Sequence, residues 1–292
     1  MNRDLAIVVS SGTLKGVYGQ GVLSALEERG VTPAAWGCAS SSVVSACFAV
    51  LGKSRALGLE YWKRTADRAQ REGMSRIVKS NILEYGSRFE DGLFSPGAPR
   101  MLIAVSHVKN ATARKVTQTS KARLQGKRIL LDLYRGNTEW VDQNLTPVIF
   151  DTAGEGSTKL WRGNFGEVAY ASTRMLHAWD EPAEIAGEAY VDASYTCSCP
   201  VYEVAALGFK RILLVDVEVG PTYTSLSRKK PIEPGMMGNS EVVIVRSAVD
   251  LKALGVDYLR ASAEGVIKAY ETGYDDGVAA IEQNKGFGLT DH

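Results

Sequence analysis

Trp36-Gly37-Cys38-Ala39-Ser40-Ser41-Ser42-Val43-Val44-Ser45-Ala46 is the stretch whose reading decides the fold. It joins a short apolar segment ending in tiny residues, Ala35 to Ala39, to an apolar run of helical length, Val43 to Leu51, that stops at Gly52. Glycine just past the last apolar residue is a common helix terminator. The spacing predicts a strand that hands Ser40 to a sharp turn at a helix start. There the hydroxyl stands clear of both elements, and the helix N-terminus favours negative charge developing beside it. The flanks fix the register. Centring the turn on Ala39 leaves no nucleophile, and centring it on Ser41 or Ser42 puts Val43 or Val44 where the helix packs closest.

Upstream, Leu5 to Val9 is β-branched and apolar, as suits a strand buried on both faces, and it runs into the small-residue loop Ser10 to Gly16. Val17 to Arg29 has helical spacing and ends at Gly30. Strand, loop, helix, strand and helix in this order predict an α/β architecture of three layers, with a mostly parallel central sheet flanked by helices. Downstream we expect one or two surface helices between Ser54 and Arg88, a loop at 91–100, and strands at 101–108, 129–134 and 147–150. A helix at 165–176 is followed by a short strand at 190–194 that closes on Asp192. Then come a helix from Pro200, a strand at 211–219, a mobile loop at 221–239, a strand at 242–245 and an amphipathic helix over 256–283. No repeat or composition break marks a boundary, so 1–292 reads as one domain. Its motif-bearing core covers about 5–219, with a helical C-terminal portion over 240–292.

The chain has 292 residues, 45% of them hydrophobic, enough to bury a proper core. With 34 basic and 33 acidic side chains it has no overall bias toward nucleic acid, and none is expected as a partner. The one charge asymmetry is 109–128, with seven Lys or Arg and no Asp or Glu. It reads either as a solvated loop or hairpin face or as a peripheral contact with anionic phospholipid headgroups. The first apolar run is too short for a signal peptide or a membrane span, and no later run reaches spanning length. Cys38, Cys47, Cys197 and Cys199 lack metal-ligand spacing, and free thiols suggest a cytoplasmic protein, with signal-independent secretion as the alternative.

Three pieces carry chemistry. The loop Ser10–Gly16 can converge its backbone N–H groups on an anion. Ser40 occupies the elbow, and Asp192 lies at a strand end beside small residues, where a carboxylate can reach a neighbouring loop. At these positions the chain resembles the patatin-like phospholipases, whose pattern is a glycine-rich oxyanion loop, a GxSxG elbow and a later aspartate. Ser10 through Leu23 parallels the first motif, with Lys15 and Gly16 at its basic residue and glycine. Cys38-Ala39-Ser40-Ser41-Ser42 takes the elbow, Tyr170 to Met175 resembles the Ala-Ser segment, and Tyr190-Val191-Asp192-Ala193-Ser194 the aspartate motif. Cys38 and Ser42 replace the elbow glycines, and Ser11 and Thr13 replace two loop glycines.

The resemblance implies a patatin-like fold and a lipid acyl hydrolase of phospholipase A, lysophospholipase or carboxylic ester hydrolase type. Ser40 would be the nucleophile and Asp192 its direct base, with Ser11, Gly12 and Thr13 as the oxyanion hole and a lipid or ester as substrate. No metal or cofactor is called for. Lys15 is read as a loop or phosphate contact together with Gly16, or else as a surface lysine. His107, His177 and the terminal His292 fall in no motif and read as structural. The alternatives are a catalytically silent patatin-fold module that binds lipid or protein, and a nucleotide-binding module using Gly12–Gly21. The latter lacks a phosphate-loop ending.

Overall fold

Strands of the computed structural model, which describes residues 2–289, are β1 (Asn2–Val9), β2 (Pro33–Ala39), β3 (Arg100–Val108), β4 (Leu145–Asp151), β5 (Glu184–Ile185), β6 (Glu188–Val191), β7 (Arg211–Asp216), β8 (Thr222–Tyr223), β9 (Pro231–Ile232), β10 (Gly235–Met237) and β11 (Ser240–Arg246). The helices are α1 (Gly16–Glu28), α2 (Ser42–Val50), α3 (Ser54–Ala69), α4 (Met74–Leu93), α5 (Ala111–Thr117), α6 (Ala122–Tyr134), α7 (Glu139–Asn144), α8 (Phe165–Thr173), α9 (Val201–Ala205) and α10 (Ala263–Gln283). His292 lies outside the described residues.

The central sheet is mixed and mostly parallel, in the order β10-β11-β7-β1-β2-β3-β6-β5, with β4 on the free side of β3. Alternation along β1 explains the layers. Leu5, Ile7 and Val9 point into a core shared with α1, α2, α3, α4 and α10, while Ala6 and Val8 point into a second one shared with Val201 and Val204 of α9. A strand buried on both faces is apolar at every position, as Leu5–Val9 is.

Three strands around β3 position the site. β2 runs parallel to β3 and ends at Ala39, opposite Ala104. β6 runs antiparallel to β3, pairing Tyr190 with His107 and Val191 with Ser106, while β4 occupies the other edge along the whole of that stretch. β2 and β6 therefore approach each other head to head along a single edge of β3. The residues just past their ends, Ser40 and Asp192, meet at the level of Val105.

Several expectations are corrected. Residues 129–134 are no strand; they complete α6, where Ala122, Gly126 and Ile129 form one buried face at helical spacing. A short apolar run fits a strand or a buried helix equally until its neighbours are placed. The basic stretch 109–128 is α5 and most of α6 rather than a loop or hairpin. The last helix starts at Ala263, not Val256, because Ser262 accepts the Gly265 N–H and caps it. Residues 221–239 contain β8, β9 and β10. The helices at 54–93 are not confined to the surface, since Tyr61, Trp62, Ile77, Tyr85 and Phe89 are buried. No helix among the described residues is long and apolar enough to cross a membrane.

Helices α1 and α10 cross at glycine. A Cβ on Gly273 would stand 2.1 Å from the Tyr18 carbonyl oxygen, so the backbones touch there. Gly273→Ala must force the helices apart, and we expect a loss of about 3 kcal/mol, read as a lower urea midpoint at unchanged slope. Gly86→Ala, inside α4 with nothing nearer than 3.7 Å to the new Cβ, is expected instead to gain roughly 0.5–1 kcal/mol.

Candidate active site

Ser40 leaves β2 with φ +56°, in the left-handed region, before α2 begins at Ser42. A non-glycine residue there costs on the order of 1–2 kcal/mol and persists only where its surroundings hold it. Hydroxyls do the holding. The Ser40 N–H donates to Ser172 Oγ of α8 at 2.8 Å, and Ser172 Oγ donates to the Ala104 carbonyl of β3 at 2.7 Å. Ser42 Oγ accepts the Ala39 N–H at 2.8 Å and lies 2.8 Å from the Val9 carbonyl. The turn is thus tied to β1, β3 and α8.

The glycine replacements beside Ser40 carry no backbone strain, because neither Cys38 nor Ser42 has a positive φ. The Cys38 thiol is fully buried in the main core, and all four cysteines are unpaired. In the loop the positions divide. Thr13 is left-handed, with φ +49°, whereas Gly12 is extended and is needed for space: a Cβ there would sit 2.3 Å from Val217 Cγ2. Gly16 is constrained likewise, its Cβ falling 2.8 Å from the Trp62 ring.

Asp192 closes the arrangement. Ser40 Oγ donates to Asp192 Oδ2 at 2.9 Å, and Oδ1 accepts the Ser194 N–H at 2.8 Å. Its backbone is pinned on both sides, the N–H donating to the Arg174 carbonyl at 2.9 Å and the carbonyl accepting Ser106 Oγ at 2.7 Å. The carboxyl is buried, and burial pushes its pKa up to about 6, against the opposing pull of the Ser194 and Ser40 hydrogen bonds. His107 lies against Glu188 at 3.3 Å, and His177 stands in the wall of an adjoining groove, held below the usual histidine range by burial and by Lys127 and Arg123.

Of the three donors expected from the loop, Ser11 is already committed: its N–H donates to the Ser198 carbonyl at 2.9 Å. The N–H groups of Gly12 and Thr13, and that of Ser41 after the serine, have no acceptor among the described residues. Thr13, Ser40 and Ser41 line one cavity, so two of these three donor-bearing residues border the same space as the Ser40 hydroxyl, with Gly12 next to them in the chain. Lys15 is neither a surface lysine nor free for a phosphate. It is 5% exposed, its Nζ lies 2.9 Å from Glu218 Oε2, and it sits 4.6 Å over the Tyr258 ring, clamping the loop from behind.

That cavity has an almost wholly apolar wall. Val43, Val44 and Cys47 come from α2, Tyr61 and Trp62 from α3, Met74, Val78, Ile82 and Phe89 from α4, and Phe165 and Ala169 from α8. Its cavity volume is ≈ 60 Å³, a narrow slot. The buried polar atoms Ser41 Oγ, Thr65 Oγ1, Trp62 Nε1 and Trp179 Nε1 belong to lining residues and have no protein partner. Sequence reading missed this chamber, although the apolar faces of 54–93 were its signal. It also missed Ser106 and the bridging role of Ser172, because both act across the sheet. Among the described residues no cluster of three or more His, Cys, Asp or Glu is placed to hold a metal ion. Compared with protein-family models and with curated proteins, the chain matches none.

Two outcomes test this geometry. Ser172→Ala removes the acceptor that holds the strained Ser40 N–H, and should lower stability by about 1–2 kcal/mol in urea unfolding. Asp192→Asn should raise stability near pH 7 by about 3 kcal/mol, the equivalent of moving a carboxyl pKa from 3.8 to about 6. The sign follows from proton binding. The folded carboxyl holds its proton up to about pH 6 and the unfolded one only to about 4, so the native protein loses stability as pH rises through that window. The advantage of the variant should therefore vanish below pH 4.

Proposed function

We propose that the chain is a serine hydrolase of carboxylic esters, a lipid acyl hydrolase of patatin type working through a Ser40–Asp192 dyad. The observation that carries the reading is the 2.9 Å hydrogen bond from a left-handed serine, at a strand-to-helix elbow, to a buried carboxylate. The α/β architecture with its mostly parallel sheet and the order of the motifs along the chain agree with it.

In this mechanism Ser40 Oγ attacks the ester carbonyl carbon while its proton passes to Asp192 Oδ2. The carbonyl oxygen becomes an oxyanion, to which the Gly12, Thr13 and Ser41 N–H groups would donate hydrogen bonds. Collapse breaks the bond to the alcohol, which leaves with the proton from Asp192, and the acyl group stays on Ser40. Water then gives its proton to Asp192 and attacks the acyl carbon; the fatty acid departs as Ser40 recovers its proton. The apolar lining of the narrow cavity beside Ser40 suits the acyl group of the ester.

A silent binding module drew its support from the lost glycines; the relaxed backbone at Cys38 and Ser42 weakens that argument at the elbow, while Thr13 still bears a left-handed φ in the loop. A nucleotide module fares no better, since the Lys15 ammonium is already paired with Glu218.

A fluorophosphonate probe should label Ser40, and Ser40→Ala should lower hydrolysis of a fatty-acyl ester by roughly a thousandfold or more. Because the base must be ionised, kcat/KM should climb with pH and level off above about 6. Unchanged hydrolysis by Ser40→Ala would sink the proposal.

A further inference from the structure

Helix α6 presents an unusual outer face. Leu124, Arg128, Leu131 and Arg135 follow the i, i+4, i+7, i+11 spacing of one side, with Lys127 and Tyr134 beside them. Leu124 is 56% exposed, Leu131 48% and Tyr134 89%. Large apolar side chains are rarely grouped this openly on water-facing helices without a purpose. The cations between them are equally free: Arg123, Lys127, Arg128 and Arg135 form no ion pair among the described residues, and Asp132 is the one acid within the helix. Arg114 of the neighbouring α5, by contrast, is paired with Glu184.

The inner side of α6 is held firmly. Gly126 packs so close to the segment after α8 that a Cβ would lie 2.5 Å from the His177 backbone nitrogen. Leu130, Leu133 and Tyr134 form one bank of a groove, and Arg228 and Arg260 stand on the other together with Asp257. The groove reaches Thr13 of the oxyanion loop, and both Thr13 and Trp179 also line the chamber that holds Ser40.

We propose that α6 is an interfacial helix, whose exposed face docks on an anionic lipid surface and sets the adjoining groove, leading to Thr13 and Ser40, against that surface. Leucines and a tyrosine entering the headgroup boundary, with Lys and Arg reaching lipid phosphates beside them, is the pattern by which a helix lies in an interface rather than spanning it. Opposite charge selects the occupant: unpaired cations on the helix and on the far bank match anionic headgroups and not a neutral partner. The purpose given to this docking rests on the hydrolase reading, since it brings an insoluble ester to the serine.

The test is co-sedimentation with vesicles of phosphatidylcholine alone and of phosphatidylcholine mixed with phosphatidylserine, beside hydrolysis of a water-soluble monomeric ester. The full chain should bind the anionic vesicles preferentially, and less at high salt. Lys127→Gln with Arg128→Gln should weaken that binding about 30-fold, at about 1 kcal/mol per charge. Leu124→Glu with Leu131→Glu should weaken it at least tenfold, on the order of the burial lost. Both pairs should leave the monomeric ester rate unchanged, which also shows that the variants are folded. Undiminished binding by either pair would overturn the inference, as would a dimer that Leu124→Glu with Leu131→Glu dissolves in a chain that ignores vesicles. Vesicle binding by a chain that cleaves no ester would count against the hydrolase reading alone.

Discussion

Two strand ends meeting along one edge of β3 are the constraint on which the rest of this structure depends. β2 stops after pairing with Ala104 and β6 after pairing with Ser106, so that only Val105 of β3 separates the two pairings. Ser40 and Asp192, about 150 positions apart in sequence, are brought within 2.9 Å by that abutment, not by any local preference of either segment. A sheet is a stiff ruler, with the repeat along a strand fixed to about 3.3 Å per residue. One residue more on either strand would bring the two ends into collision. Ser106 and Ser172 act as staples at the junction, fastening it to β3 from either side of the gap.

That junction concentrates two unfavourable features. Ser40 adopts a backbone conformation that L-residues avoid, and Asp192 is a carboxyl withdrawn from water. Neither is relieved by a countercharge, since the partners of Asp192 are a hydroxyl and a backbone N–H. They are tolerated because the surrounding hydrogen bonds are backbone or short-hydroxyl bonds, which have little freedom to give way. Strain of this kind has to be stored on a rigid frame, and the largely buried strands β1, β2 and β3 provide one.

The legible part of the molecule was the part set by local pattern. The run Leu5–Val9, the glycine stops at 30 and 52 and the tiny residues at 39–42 place α1, β2 and α2 within a residue or two and the end of β1 at Val9, although β1 begins three residues before Leu5, because each of these boundaries is enforced by the residues at that boundary. Asp192 could be picked out by its place at a strand end. Beyond that, long-range pairing took over. Nothing near Lys15 announces Glu218, and nothing near Ser11 announces the Ser198 carbonyl that claims its N–H. The apolar run at 129–134 misled for a related reason: its helical partners, Ala122 and Gly126, are small and carry little hydrophobic signal, while Leu131 faces outward.

The glycine substitutions illustrate where a motif's physics resides. In the elbow the conformational demand falls on the serine itself, so Cys38 and Ser42 sit in relaxed backbone and Ser42 adds a hydroxyl that braces the turn. In the loop the demand divides between space, met by Gly12, and a left-handed φ, borne by Thr13. The proposed dyad, lacking histidine, would place one further requirement on its aspartate: a carboxyl with an ordinary pKa near 4 is too weak a base to draw a proton from a serine hydroxyl efficiently at neutral pH. Burial at the β2–β6 junction raises that basicity, and an acyl chain filling the apolar chamber would remove still more water from around it. The same desolvation makes Gly12 and Thr13 N–H groups stronger partners for an oxyanion. In the proposed hydrolase, stability surrendered by burying Asp192 would therefore be tied to reactivity, because the low-dielectric environment that destabilises the carboxylate would make it the stronger base.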